Sequence, residues 1–197
     1  MPCKPPCPRS STTPASWWSK ARPRRCAPVS PPPTGSACCN DPPATPADAP
    51  AIAVIWNAVI RDTTATFTTA EKDPTVLATQ IASGTPWWVA CVNGRVEGHA
   101  TYGQFRTGPG YARGMEHSIH LSKAAQCQGL GRALMQALED HARAQGVHVM
   151  VAGVSSDNPA GQAFHARLGY VECGRMMQAG YKWGRYLDLV LMQKILT

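Results

Sequence analysis

Residues 115–154 limit the possible folds more than any other part of the chain. "MEHSIHL" (Met115 to Leu121) reads as a strand, and a short polar loop leads from it into Gly129-Leu130-Gly131. "GLGRALMQALEDHARAQG" then continues as an amphipathic helix closed by Gly146. "VHVMVAGV" follows as a nearly continuous apolar run of the kind found in strands buried on both faces. Strand, helix and strand in that order form a βαβ crossover, which requires two parallel strands in one sheet.

The segments around this unit place it in a larger sheet. "TPADAPAIAVIWNAVI" offers Thr45 as N-cap and Pro46 at the first helical position, with Ile52, Ile55, Trp56 and Val59 on one face. "DPTVLATQIAS" repeats that pattern as a second, short helix. "WWVACV" and "RVEGHATYGQF" are strand-like runs joined by Asn93-Gly94, a two-residue hairpin signal. After the crossover, "NPAGQAFHARLG" is a helix with Asn158 as cap, Pro159 at its first position and Gly169 past its end. "YVECGRM" and "RYLDLVLMQKIL" complete the chain as strands. The expected order is ααβββαβαββ: an α/β fold with a mixed central sheet flanked by helices.

Composition divides the chain in two. Of 18 prolines, 14 lie within residues 1 to 50, with almost no apolar periodicity before Asn40. Such a segment buries too little surface to offset its ordering entropy, so residues 1–40 read as a Pro-rich, basic, disordered extension and residues 41–197 as one domain. Residues 1 to 50 carry six Lys/Arg against two Asp, more than half of the formal charge of +7. No dense basic block interleaved with aromatics accompanies them, which argues against nucleic acid as a partner. Five of the eight cysteines fall in the same extension without zinc-ligand spacing; Cys91, Cys127 and Cys173 are scattered. The reading is reduced thiols in a cytoplasmic protein, with no metal site. No apolar run approaches the roughly 20 residues that span a bilayer.

The loop Gln126-Cys127-Gln128-Gly129-Leu130-Gly131 sits between a strand and a helix N-terminus. Backbone N–H groups there lack intrahelical partners and face the positive end of the dipole, so the place suits phosphate oxygens. Glycines at 129 and 131 let the backbone approach an anion without an intervening Cβ. The GxxxxGK[ST] loop is absent, and GxGxxG fails because position 134 is Leu134.

Gln-x-x-Gly-x-Gly between strand and helix resembles the signature of the GNAT superfamily of N-acetyltransferases. "RDTTATF", "ATYGQFR", "GYARGMEHSIHL", "HVMVAGV", "NPAGQAFHARLGY" and "KWGRYLDLVLMQ" are similar to its phosphinothricin, methionine sulfone and methionine sulfoximine acetyltransferase branch, in order from about Pro43 to Leu196. The resemblance implies the GNAT fold, acetyl-CoA as cosubstrate, a small amino acid or analogue as acceptor, and a homodimer. It places Ile119, His120 and Leu121 along the pantetheine arm and Cys127, Gln128, Gly129, Leu130, Gly131 and Arg132 at the pyrophosphate. Asn158 and Arg167 fall at further cofactor positions. Glu116 stands where the branch has its proposed base, and His165 where many other members of the superfamily have a tyrosine proposed to protonate the thiolate. Phe67, Arg106 and Pro109-Gly110-Tyr111 are the expected acceptor contacts, with Tyr102 and Phe105 as further aromatic candidates.

Two departures accompany the resemblance. Cys127 or Gln128 stands where relatives often carry Lys or Arg, which implies weaker cofactor binding. "CCNDPP" is a poor substitute for the strand that normally precedes the first helix. A CoA-binding module without catalysis and an enzyme acting on proteins or polyamines are the competing readings. Glu116 and His165 together oppose the first, and the aromatic loops of the small-molecule branch oppose the second.

Overall fold

The computed structural model describes residues 43–197. The extension expected over residues 1–40 lies outside them. Helices α1 (Ala49–Asp62) and α2 (Pro74–Ala82) precede strands β1 (Trp87–Val92), β2 (Arg95–Gln104) and β3 (Gly114–Leu121). Helix α3 (Leu130–Ala144), β4 (Val149–Ser155), α4 (Pro159–Arg167), β5 (Val171–Lys182) and β6 (Arg185–Ile195) follow, in the order expected from the sequence.

The six strands form one sheet in the order β1-β2-β3-β4-β6-β5. β3 and β4 are its parallel pair, and the β1·β2, β2·β3, β4·β6 and β5·β6 pairs are antiparallel. Asn93 and Gly94 both have positive φ, 50° and 75°, as a two-residue hairpin turn between β1 and β2 requires. The first helical run starts at Thr45 and Pro46 as expected, with a first turn of 3-10 type. Pro46–Asp48 is a separate 3-10 turn, and the Asp48 carboxylate reaches back to accept from the Thr45 N–H at 2.7 Å and the Thr45 hydroxyl at 2.8 Å. The α-helix itself begins at Ala49.

Each face of the sheet is covered by its own helices because the strands alternate. Trp88, Ala90, Ala100, Met150 and Ala152 pack with Leu130, Leu134, Met135 and Leu138 of α3. Trp87 and Val89 point the other way, against Ala49, Ile52 and Ala53 of α1 and Leu77 and Ile81 of α2. Before α1, Pro43 bridges to Trp88 and the Ala44 N–H donates to the Trp87 carbonyl at 2.8 Å. Proline supplies no ladder donor, so this edge contact remains a single bridge.

The site is positioned by a divergence at the centre of the sheet. β3 pairs with β4 only at Gly114↔Val149, Met115↔Met150 and Glu116↔Val151. Past these residues the strands part, and the second half of β3, from His117 to Leu121, remains bonded to β2 alone.

Candidate active site in the split between β3 and β4

A cavity of about 250 Å³ occupies the split. Its walls include Glu116 to His120 of β3, Ala152 to Ser155 of β4, Asn158 and His165 of the α4 segment, and Trp56, Thr66 and Phe67 from α1 and the loop after it. On the sides that face the opening, backbone groups of both strands lack a ladder partner, so a ligand able to donate and accept amide hydrogen bonds can complete the sheet there.

Alternation along β3 divides the side chains between two compartments. Ile119 and Leu121 join the core on the α3 face, and His117 meets His165 of α4 on that side. His120 lies on the α1 face, 5.2 Å from the Trp56 ring by centroids. Glu116 shares the parity of His120, and at the divergence it lies beside Gly153 of β4. A Cβ added at Gly153 would sit 2.9 Å from Glu116 Oε1, so the glycine leaves room for the carboxylate. Solvent reaches Glu116 along the cavity, yet burial by the surrounding protein raises its pKa above the ordinary carboxylate value.

The two buried histidines can be assigned tautomers from their partners. His165 Nδ1 lies 2.7 Å from the Gly161 carbonyl, which can only accept, so Nδ1 carries the proton. Its Nε2 is then an acceptor for His117 Nε2–H at 3.0 Å, and His117 Nδ1 makes no well-formed hydrogen bond among the described residues, the Val151 backbone being its polar neighbour. Burial, with His165 adding to it, depresses His117 to about 3; burial also lowers His165. Both rings are therefore neutral near pH 7. His117 belongs to the site but carries no motif. Its only signal in the sequence is a polar residue at an inward position of an alternating strand.

After β3 the chain turns through Cys127 (φ 63°) and Gly129 (φ 82°) into α3. The Arg132 and Ala133 N–H groups both return to the Gly129 carbonyl, at 3.0 and 3.2 Å. The N–H groups of Leu130 and Gly131 precede any intrahelical acceptor and point out of the helix end. Nothing lies within 4 Å of a Cβ built on Gly129, so the space before these donors is open. Open space and outward amides at a helix start that follows the parted strand suit an anion. Asn158 caps α4 by accepting from the Gly161 N–H at 2.9 Å, and it lines the cavity. Arg132 and Arg167 are exposed, the second at the far end of α4 and outside the cavity lining.

The expected acceptor residues are not gathered in one place. Phe67 lines the cavity, whereas Arg106 and Pro109-Gly110-Tyr111 lie exposed in the loop between β2 and β3, outside its walls. Tyr102 is a core residue on the α3 side: it is buried, and its hydroxyl is 2.8 Å from His141 Nδ1. Trp56, read from the sequence as part of a helix face, is instead a wall of the cavity beside His120 and the buried His99.

Residues 53–170 match the Acetyltransferase (GNAT) family. The chain belongs to the GNAT acetyltransferases. It is 41% identical over 155 residues to an L-methionine sulfoximine/L-methionine sulfone acetyltransferase of Pseudomonas aeruginosa, covering 75% of this chain and 88% of that protein. It is 40% identical over 151 residues to the L-amino acid N-acyltransferase MnaT of Escherichia coli, with the same coverage of 75% and 88%. In three dimensions it resembles a Salmonella typhimurium acetyltransferase solved with acetyl-CoA, with a TM-score of 0.77 and 37% identity over 81% of this chain and 94% of that one.

Proposed function

We propose that this GNAT enzyme transfers an acetyl group from acetyl-CoA to the α-amine of a small amino acid or analogue, such as methionine sulfone, methionine sulfoximine or phosphinothricin. The observation that carries the reading is the position of Glu116, at the point where β3 and β4 part and in one cavity with Phe67 and Trp56. Acetyl-CoA, when bound, supplies the activated acyl group and a thiolate leaving group. The loop and helix start from Cys127 to Arg132 hold its pyrophosphate, the free amides of Leu130 and Gly131 donating to it, and the free edges of Ile119, His120 and Leu121 hold the arm. Asn158 stands beside the same channel.

An amino acid arrives as an ammonium ion and must lose a proton before it can attack. Glu116 takes that proton, directly or through water; a carboxylate raised by burial is a stronger base than one in free solution. His165 serves the same relay: its Nε2 takes up a proton released by the amine and returns it to the departing thiolate, while Nδ1–H stays on the Gly161 carbonyl. The acceptor carboxylate is assigned to Arg106 or a neighbouring backbone amide, with Pro109, Gly110 and Tyr111 in the same exposed loop.

We further propose a homodimer, since β5 is a sheet edge and the β5-β6 hairpin exposes Val171, Met176, Met177, Tyr181, Trp183 and Tyr186. A cytoplasmic site of action accords with the exposed thiols of Cys127 and Cys173 and with the supply of acetyl-CoA. The deciding experiment is acetyl-CoA consumption across a panel of free amino acids, their amides, polyamines and lysine peptides. Free acids should react much faster than amides, because a donor site left without its carboxylate is costly. Equal rates for amides or peptides would overturn the acceptor assignment.

A further inference from the structure

Lys182, at the end of β5, is 2% exposed and faces no carboxylate among the described residues. Its ammonium instead donates to three backbone carbonyls: Ile60 at 2.7 Å, Thr63 at 2.6 Å and Thr66 at 2.9 Å. An ammonium has three N–H donors, and all three are used. Ile60 belongs to the last turn of α1 and Thr63 is its C-cap, so two of the acceptors lie at the end of a helix where carbonyls lack intrahelical partners and the dipole is negative. The third acceptor, Thr66, immediately precedes Phe67, a wall of the cavity.

The same strand receives the Phe67 ring. Gly180 lies directly under it, and any Cβ at that position would run into the ring. β5 therefore grips the loop after α1 at two points two residues apart: the ammonium of Lys182 on the backbone and the bare Cα of Gly180 on the aromatic face. A buried charge without a counter-ion is expensive, and an apolar side chain of similar length would fill the volume at lower cost. What such a side chain cannot do is hold three carbonyls at one point.

We infer that Lys182 is a positioning residue for the acceptor: its ammonium fixes residues 63–67 so that Phe67 forms a set wall of the cavity that holds Glu116. The inference rests on the acceptor-site reading above and extends it to a residue that does not line the cavity. Lys182 acts through the loop and touches neither substrate, so its removal should disturb the acceptor side and spare the cosubstrate side at the start of α3.

The test compares wild type, Lys182→Met, Phe67→Ala and the double variant. Lys182→Met should melt cooperatively and bind acetyl-CoA within about twofold of wild type, while kcat/KM for methionine sulfone falls about tenfold or more, chiefly through KM. Phe67→Ala should lose a similar factor, and the double variant should be little worse than the poorer single one, since both remove the same wall. Hydrogen exchange read by mass spectrometry should speed up in residues 63–67 and stay unchanged in α3. An acceptor KM within twofold of wild type, effects that multiply in the double variant, or unchanged exchange at 63–67 would each overturn the inference. If Lys182→Met does not fold, Lys182→Gln, which keeps two donors on a shorter stem, is read by the same criteria. Should wild type acetylate none of the panel amines, the substrate reading fails, and the exchange measurement still decides whether Lys182 holds the loop.

Discussion

Acidification should unfold this protein earlier than its carboxylates alone require. His99 and His117 are packed inside the domain and His120 is half-buried on the cavity wall: burial, with His120 nearby, puts His99 well below its ordinary value of 6.5, His117 lies at about 3 and His120 at about 4. For His120 the cause is burial, with the Lys72 ammonium adding to it. The folded pKa of each is depressed, so the native state stays unprotonated while the unfolded chain takes up protons. The stability these groups contribute is complete above about pH 6.5 and is lost as pH falls from there toward 4 and 3. One unit below the unfolded pKa each group costs about 1.4 kcal/mol, so near pH 5.5 the three together remove about 4 kcal/mol. That is a large part of the 5 to 15 kcal/mol typical of a domain. Urea unfolding followed by tryptophan fluorescence between about pH 7.5 and 5 measures it, and His117→Gln should flatten the slope by about a third. A stability that stays within about 1 kcal/mol over that range would refute the assignment of neutral buried rings.

Gly129→Val places a β-branched residue at a φ of 82° and a side chain in the open space before the α3 amides. Acetyl-CoA affinity should fall by about tenfold or more in calorimetry, with a loss of stability of only about 1 to 2 kcal/mol; unchanged affinity would remove the pyrophosphate assignment. Glu116→Gln should lower turnover by about 10² to 10⁴ at unchanged acetyl-CoA affinity, and it should abolish the acid limb of the kcat/KM profile, which for wild type lies above the ordinary carboxylate range. Gly153→Ala should imitate it in part, since the new methyl would sit 2.9 Å from Glu116 Oε1 and push the flexible carboxylate aside. Full activity in both variants would exclude Glu116 as the base.

Local chemistry wrote much of this protein into its sequence. Asn93-Gly94 made a hairpin because its residues tolerate positive φ, and Asn158 with Pro159 began a helix because one caps and the other has no N–H to waste. Gly129 turned the chain into α3 at a φ of 82°, as a residue without a Cβ can, and the helix end it opens leaves amides free wherever it occurs. Thr45 and Pro46 likewise opened the first helical run, whose first turn is 3-10 and is tied back to Thr45 by the Asp48 carboxylate. What no local rule contained was the meeting of distant segments. The split of β3 from β4 after Glu116 depends on how far two strands in different parts of the chain stay in register. His117 became part of the site through a ring 48 residues away, and Lys182 found its three acceptors more than 110 residues earlier. Tyr102 and Trp56 exchanged the roles their neighbourhoods implied, the first in the core and the second on the cavity wall. Capping, turns and periodicity are decided over a few residues by backbone geometry, so the sequence states them. A cavity belongs to surfaces that only packing brings together, and its walls are settled when the sheet and helices close.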